Sequence, residues 1–123
     1  MNIKYYYFID EFNKNEIEKL STQISLIYRN YHKKSEPEEL KKLVIHCKNN
    51  RRKVYISNNL KDAIKYNFDG LYIPSFQKQL RYQNIIKRNL EIIGSAHNAI
   101  ELKIKEILAD NFSISFLLNS SIK

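Results

Sequence analysis

A chain of 123 residues with 43% hydrophobic content supports one compact domain with a modest core, and its composition excludes a disordered chain. The single cysteine, Cys47, excludes an internal disulfide and a cysteine-based metal cluster, which suits a reducing cytoplasm. A net charge of +8 raises nucleic-acid or membrane binding, but the excess is mostly lysine spread over every predicted helix, beside abundant Asn and Ile. That profile fits AT-rich codon usage, and the bland expectation is a solvated basic surface. The one compact basic cluster is Asn50-Arg51-Arg52-Lys53. There is no basic-then-apolar leader with a small-residue cleavage site, and no apolar run of about 18 residues. The expectation is therefore a soluble, cytoplasmic protein without a nucleic-acid or membrane partner.

In chain order, Lys4–Ile9 reads as a strand and Asn13 with Glu16 as a helix start. Ile24–Tyr28 is the second strand. Ser35 with Glu38 forms a capping-box pair, after which Leu40, Leu43, Val44 and Cys47 recur at i, i+3, i+4 and i+7. Lys53–Ile56 is the third strand, and Asn59 with Asp62 starts a third helix. Gly70–Ile73 follows, then a helical stretch from Lys78 to Arg88, then Leu90–Ile93. Asn98 with Glu101 opens a fifth helix whose Ile100, Ile104, Ile107 and Leu108 share one face; Ser113–Leu118 is the last strand. The strands are short and rich in β-branched or aromatic residues, as expected when both faces are buried.

The order is thus six strands alternating with five helices, which implies a parallel sheet with right-handed crossovers in a single domain over 1–123. Two α/β folds compete. An open doubly wound sheet of the receiver type matches the length, and Asp10-Glu11 fits its acidic pair. Yet the third strand ends in Ser57-Asn58-Asn59, with no phosphorylatable Asp, and no lysine follows the fifth strand. With Gly70 and Gly94 the only glycines, a Gly-rich dinucleotide or P-loop motif is excluded. The other candidate is a parallel (β/α)8 barrel, which normally needs about 200 residues or more. Six strands would leave it incomplete.

In parallel α/β folds the ligand lies beyond the carboxyl ends of the strands. The residues there are Asp10, Arg29, Ser57 with Asn58, Tyr72 with Ser75, and Ser95 with His97. A cation, hydroxyls, amides and an imidazole with one carboxylate favour an anionic or phosphorylated ligand over a metal-rich site. Arginine offers bidentate hydrogen bonds to phosphate oxygens. Each residue has a plainer alternative: Arg29 as a solvent-facing charge, His97 as a helix cap. His97 attracts interest because imidazole both donates and accepts a proton near neutral pH. His32 and His46 are weaker candidates, with His46 expected to be exposed. Cys47 reads as a small buried apolar residue, and Ser57 and Ser95 lack a nucleophile elbow.

These strand ends resemble the thiamine phosphate synthase/TenI family of (β/α)8 barrels. Asp69-Gly70-Leu71-Tyr72-Ile73-Pro74 is similar to the family's A-D-G-V-H-L-G, and Ile92-Ile93-Gly94-Ser95-Ala96-His97-Asn98 to its I-G-x-S-x-H-[TSN]. Ile56-Ser57-Asn58-Asn59-Leu60-Lys61-Asp62-Ala63 stands where the family has I-N-D-R-x-D-x-A, and Ile27-Tyr28-Arg29-Asn30-Tyr31 where it has Q-x-R-x-K. The resemblance covers the whole chain as the family's first six strands.

The resemblance implies a role in thiamine biosynthesis: Arg29, Ser57, Asn58, Ser95 and Asn98 against a thiazole phosphate, with His97 as the acid/base of a thiazole tautomerase. A magnesium-dependent synthase is the alternative, and only it would require magnesium. Asn58 stands at the first metal aspartate of such synthases, and Gln77 about where the second falls. Neutral amides are poor ligands for a hard divalent cation. A tautomerase needs no cofactor. The family's G-P-x-x-x-T-x-T-K segment after the sixth strand is not recognisable in Asn119-Ser120-Ser121-Ile122-Lys123, so a fragment lacking the last two βα units is expected. An open sheet would leave its first and sixth strands as bare edges, which invites a homo-oligomer. A non-catalytic phosphate-binding relic and a nucleic-acid binder are the other hypotheses.

Overall fold

The computed structural model describes residues 4–73, 90–95 and 114–117, the last group and Ser95 by their backbone. The elements are β1 (Tyr5–Ile9), α1 (Lys14–Glu18), β2 (Ile24–Tyr28), α2 (Pro37–Asn49), β3 (Val54–Ser57), α3 (Leu60–Lys65), β4 (Gly70–Ile73), β5 (Glu91–Ser95) and β6 (Ile114–Leu117). The expected strands are all present, with β3 and β5 ending one and two residues later than expected. The two helices expected over 78–88 and from Asn98 lie outside the described residues.

The six strands form one sheet in the order β1-β2-β3-β4-β5-β6, and every neighbouring pair is parallel. The strand order never reverses, so the sheet has no topological switch point. That overturns the doubly wound alternative, whose defining feature is such a reversal. The packing agrees. All three described helices bury their apolar residues in one cluster: Ile17 from α1, Leu40, Leu43, Val44 and Cys47 from α2, and Ala63 from α3. They meet Ile9, Leu26, Tyr28, Val54, Ile56, Leu71, Ile73 and Ile92 on one face of the sheet.

The alternate strand residues form a second buried cluster on the opposite face: Tyr6, Phe8, Ile27, Tyr55, Tyr72 and Ile93. This two-faced burial is why the strands read as apolar runs rather than as strict alternation. Here the face away from the helices is called the inner face. Aromatic edges hold it together, with Tyr6 against Tyr55 at 6.0 Å and Phe8 against Tyr72 at 5.3 Å between centroids.

Helix starts follow the local chemistry, with one correction. Asn13 Oδ1 accepts from the Glu16 amide, and Asn59 Oδ1 accepts from the Asp62 amide while its Nδ2 donates to Asp62 Oδ2. The Ser35–Glu38 capping box does not form. Pro37 occupies the first helical position, so Glu36 is the N-cap and makes no side-chain cap bond. At 13 residues α2 is marginal as an isolated helix. Its four buried side chains hold it, each large one contributing about 1.5–3 kcal/mol relative to exposure. Cys47 is fully buried, and burial pushes its thiol up to about 12, against the opposing Arg52 charge. It is a small core residue, as its position on the α2 face suggests. His46 is not exposed as expected but half-buried, its ring 5.6 Å from that of Phe12.

The basic cluster also needs correcting. Arg52 is 4% exposed, and its guanidinium donates to four carbonyls: Ser21 and Ile24 through Nη1, Ile17 and Leu20 through Nη2. These carbonyls belong to the end of α1 and the turn into β2, which a helix C-terminus leaves without internal partners. Arg52 is therefore a capping residue for a neighbouring element. Lys53 pairs with Glu91 at 2.9 Å. Of the three cations in the cluster, Arg51 and Lys53 are exposed, and Arg51 adopts a left-handed conformation with φ 57° after α2. No helix among the described residues is long and apolar enough to cross a membrane.

Candidate functional site

Because all strands are parallel, their carboxyl ends share one edge of the sheet. Arg29 follows β2 there, held by its amide donating to the Ile9 carbonyl at 2.8 Å. Its guanidinium carbon lies 3.9 Å above the centroid of the Phe8 ring, on the inner face, and 5.7 Å from that of Tyr31. That cation–π seat fixes the cation without neutralising it. Among the described residues the Arg29 guanidinium has no ion pair and no hydrogen bond. Arg29 is half-buried there rather than fully exposed.

Ser57 ends β3. Strand alternation places it on the inner face with Tyr55, and its backbone is the register partner of Tyr72. Its Oγ is buried and has no hydrogen-bond partner among the described residues. Asn58 comes next in the left-handed region at φ 54°, a conformation that asparagine tolerates better than most residues. Its amide donates to the Tyr72 carbonyl at 2.9 Å, closing the end of the β3–β4 ladder, while its side chain is exposed. Arg29 and Ser57 thus share the inner carboxyl edge, and Asn58 lies on its rim. The backbone of Ser95 ends β5 on the same edge, in register with Leu117. His97 and Asn98 lie outside the described residues.

A cleft of about 240 Å³ opens beside Arg29, lined by Phe8, Ile9, Asp10, Glu16, Tyr31 and His32. Its loop is organised by Asn30, whose Oδ1 accepts from the amides of His32 and Lys33. Behind it, Glu39 of α2 accepts from the Phe12 amide and from the Tyr28 hydroxyl, tying α2 to the loop after β1. Among the described residues no group of three or more His, Cys, Asp or Glu side chains is placed to hold a metal ion.

The larger cleft, about 560 Å³, lies at the opposite, amino end of the strands and includes Lys53, Phe68, Asp69, Leu90 and Glu91. Of its polar groups, Lys53, Asp69 and Glu91 are bound to protein partners. Glu91 accepts from the Tyr55 hydroxyl and from Lys53, both at 2.9 Å, and Asp69 Oδ2 accepts from the Val54 amide at 2.8 Å. The hydrogen bond to Glu91 raises the Lys53 pKa, and burial with the adjacent carboxylate raises that of Tyr55. The smaller cleft, in contrast, adjoins Arg29, whose guanidinium has no partner among the described residues.

One contributor was not singled out from the sequence. Phe8 is the ring that seats Arg29, and only the three-dimensional crossing from β1 to β2 reveals it. Tyr72 was visible as a strand-end residue, but nothing in the sequence says that its ring packs on Phe8. No family model matches the chain, and no curated protein or solved structure matches it either.

Proposed function

We propose that this chain is a thiamine phosphate synthase/TenI-type protein that binds a thiazole phosphate at the carboxyl ends of its strands. The single observation that carries the reading is Arg29, seated on Phe8 with no anionic partner among the described residues. A half-buried cation in that state gains most from a phosphate, to which guanidinium hydrogen bonds in a bidentate fork. The sequential parallel sheet, with its described helices on one face, supports a (β/α)8-type barrel, in which this edge carries the active site.

Within this reading Arg29 and Ser57 hold the phosphate, with Asn58, Ser95 and Asn98 around it. His97 acts as the acid/base of a thiazole tautomerase. The tautomerisation removes one proton from a ring carbon and returns one to another carbon of the same molecule, so it needs no co-substrate and no cofactor. Imidazole suits both transfers near neutral pH. The magnesium-dependent synthase is the less favoured reading, because Asn58, a neutral amide, stands where such enzymes carry a metal-binding carboxylate.

The test is calorimetric titration of the protein with thiazole phosphate, together with an assay on the thiazole carboxylate phosphate. Arg29→Gln should weaken binding at least tenfold, and His97→Ala should abolish turnover while leaving binding intact. Absence of binding by the unaltered protein would end this reading. Binding without turnover, unchanged by His97→Ala, would leave a non-catalytic phosphate-binding protein.

A further inference from the structure

The inner carboxyl edge holds a second hydroxyl besides Ser57. Tyr72 sits directly across the β3–β4 ladder from Ser57, and strand alternation sends both side chains to the inner face. The Tyr72 ring is 4% exposed and packs edge-on against Phe8, the same ring that seats Arg29. Phe8 is thus a common floor for the phenol and the guanidinium. Neither the Tyr72 hydroxyl nor the Ser57 hydroxyl has a hydrogen-bond partner among the described residues, in contrast to the Tyr55 hydroxyl two strand positions from Ser57, which binds Glu91. Arg29, Ser57 and Tyr72 thus share the inner carboxyl edge, with no protein acceptor for their side-chain donors among the described residues.

We infer that Tyr72 is a positioning residue of the anion site, which with Ser57 supplies two neutral donors beside Arg29 to hold a single phosphate monoester without a metal ion. The inference rests on the phosphate-binding reading and adds a residue and a selectivity to it. The chemistry is consistent on three counts. Burial raises the Tyr72 pKa against the opposing Arg29 charge, so the phenol stays protonated and donates at neutral pH. One guanidinium and two hydroxyls match the charge of one phosphate group better than that of a pyrophosphate, which ordinarily needs a divalent cation. The rigid ring seat fixes the hydroxyl's position, since only rotation about the C–O bond remains free.

The decisive variant is Tyr72→Phe, which keeps the ring on Phe8 and removes the hydroxyl alone. Binding of inorganic phosphate, of thiazole phosphate and of the unphosphorylated thiazole alcohol is measured by calorimetry, with and without EDTA. A hydrogen bond to a charged acceptor corresponds to about tenfold to hundredfold in affinity. Tyr72→Phe should lose that factor for both phosphates, leave the alcohol unchanged, and respond to EDTA no more than the unaltered protein does. If Tyr72→Phe binds the phosphates normally while Arg29→Gln does not, the role of Tyr72 is overturned and the anion site stands. If Tyr72→Phe weakens alcohol and phosphates equally, its role is structural and the inference is likewise overturned. Loss of phosphate binding in EDTA overturns the metal-free site. If the unaltered protein binds neither phosphate, the functional reading fails with it.

Discussion

The two ends of one parallel sheet treat their polar groups in opposite ways. At the amino end Asp69 binds the Val54 amide, Tyr55 and Lys53 bind Glu91, and Arg52 binds four carbonyls through Nη1 and Nη2, its buried Nε alone having no partner among the described residues. At the carboxyl end Arg29, Ser57 and Tyr72 have none among the described residues, and of these three groups the Ser57 Oγ is the one fully buried. An unmade buried hydrogen bond costs about 1–3 kcal/mol. On the proposed reading, the well-partnered amino-end side chains serve the fold, and Arg29, Ser57 and Tyr72 at the carboxyl end serve a phosphate. The comparison is sharp enough to break: substitutions at the amino end should cost stability, and those at the carboxyl end should cost binding.

The largest effect is expected at Gly70. It lies in register between Tyr55 and Glu91, and its bare Cα is what lets the phenol reach the carboxylate across β4. A Cβ there would overlap the Glu91 backbone carbonyl and come within 2.9 Å of Tyr55 Cδ1. Backbone cannot yield as a side-chain tip can. Gly70→Ala should therefore cost more than about 3 kcal/mol, the upper end of overpacking penalties, in chemical denaturation. A loss below about 1 kcal/mol would mean that the amino end is looser than its contacts imply.

Next comes Arg52→Met, which keeps much of the stem's packing and removes the guanidinium. The four carbonyls at the end of α1 and the turn into β2 lose their donor. Some regain water, so a loss of about 2–3 kcal/mol is expected rather than the full sum. Arg52→Lys should recover only part of it, because an ammonium cannot span four acceptors as a planar fork does. Equal stability of Arg52→Lys and the unaltered chain would show that charge, not fork geometry, is what matters.

Tyr55 links the amino end to pH. Its folded pKa lies above the ordinary 10.0, chiefly through burial and then through Glu91. The folded state thus keeps a proton that the unfolded state gives up. This contribution is complete below about pH 10 and is lost as pH rises through the folded value. Cys47 acts in the same direction from 9.0 toward about 12. Stability should fall above about pH 9 by up to about 1.4 kcal/mol per pH unit for each group. Tyr55→Phe should flatten the slope above pH 10 and cost about 1–2 kcal/mol at neutral pH, since Glu91 keeps Lys53. An unaltered alkaline slope in Tyr55→Phe would remove the phenol from this account.

How much of this the sequence disclosed follows the range of the interactions. Ile24–Tyr28 and Gly70–Ile73 were legible to the residue because apolar, β-branched runs bounded by polar turns are local signals. The Asn13 and Asn59 caps were legible because each acceptor lies three residues from its donor. Ser35 misled because Pro37, with no amide hydrogen and a fixed φ, claims the first helical position and moves the cap to Glu36. Arg52 misled because its acceptors lie 28 to 35 residues earlier, and nothing local distinguishes it from a solvated arginine. For the candidate site, reading strand ends named Arg29, Ser57 and Tyr72 as candidates. Phe8 as the seat of Arg29 was not legible, because the contact exists only once β1 and β2 are in register.

The smallest stability effect, and the most informative for the comparison, belongs to Ser57→Ala. The Ser57 hydroxyl is buried and unpartnered, so the folded protein bears its desolvation without a compensating bond. Alanine keeps the Cβ and removes the orphan oxygen, and nothing in the β3–β4 ladder depends on it, since Asn58 and Tyr72 pair through backbone. Stability should stay the same or rise by up to about 1 kcal/mol in denaturant titration. Phosphate binding, by contrast, should weaken about tenfold, because a donor to a charged acceptor is gone. Opposite signs in the two measurements are what a group held for a ligand produces. A Ser57→Ala variant that lost stability would place the hydroxyl with the amino-end residues, as part of the fold, and the contrast between the two ends would no longer hold.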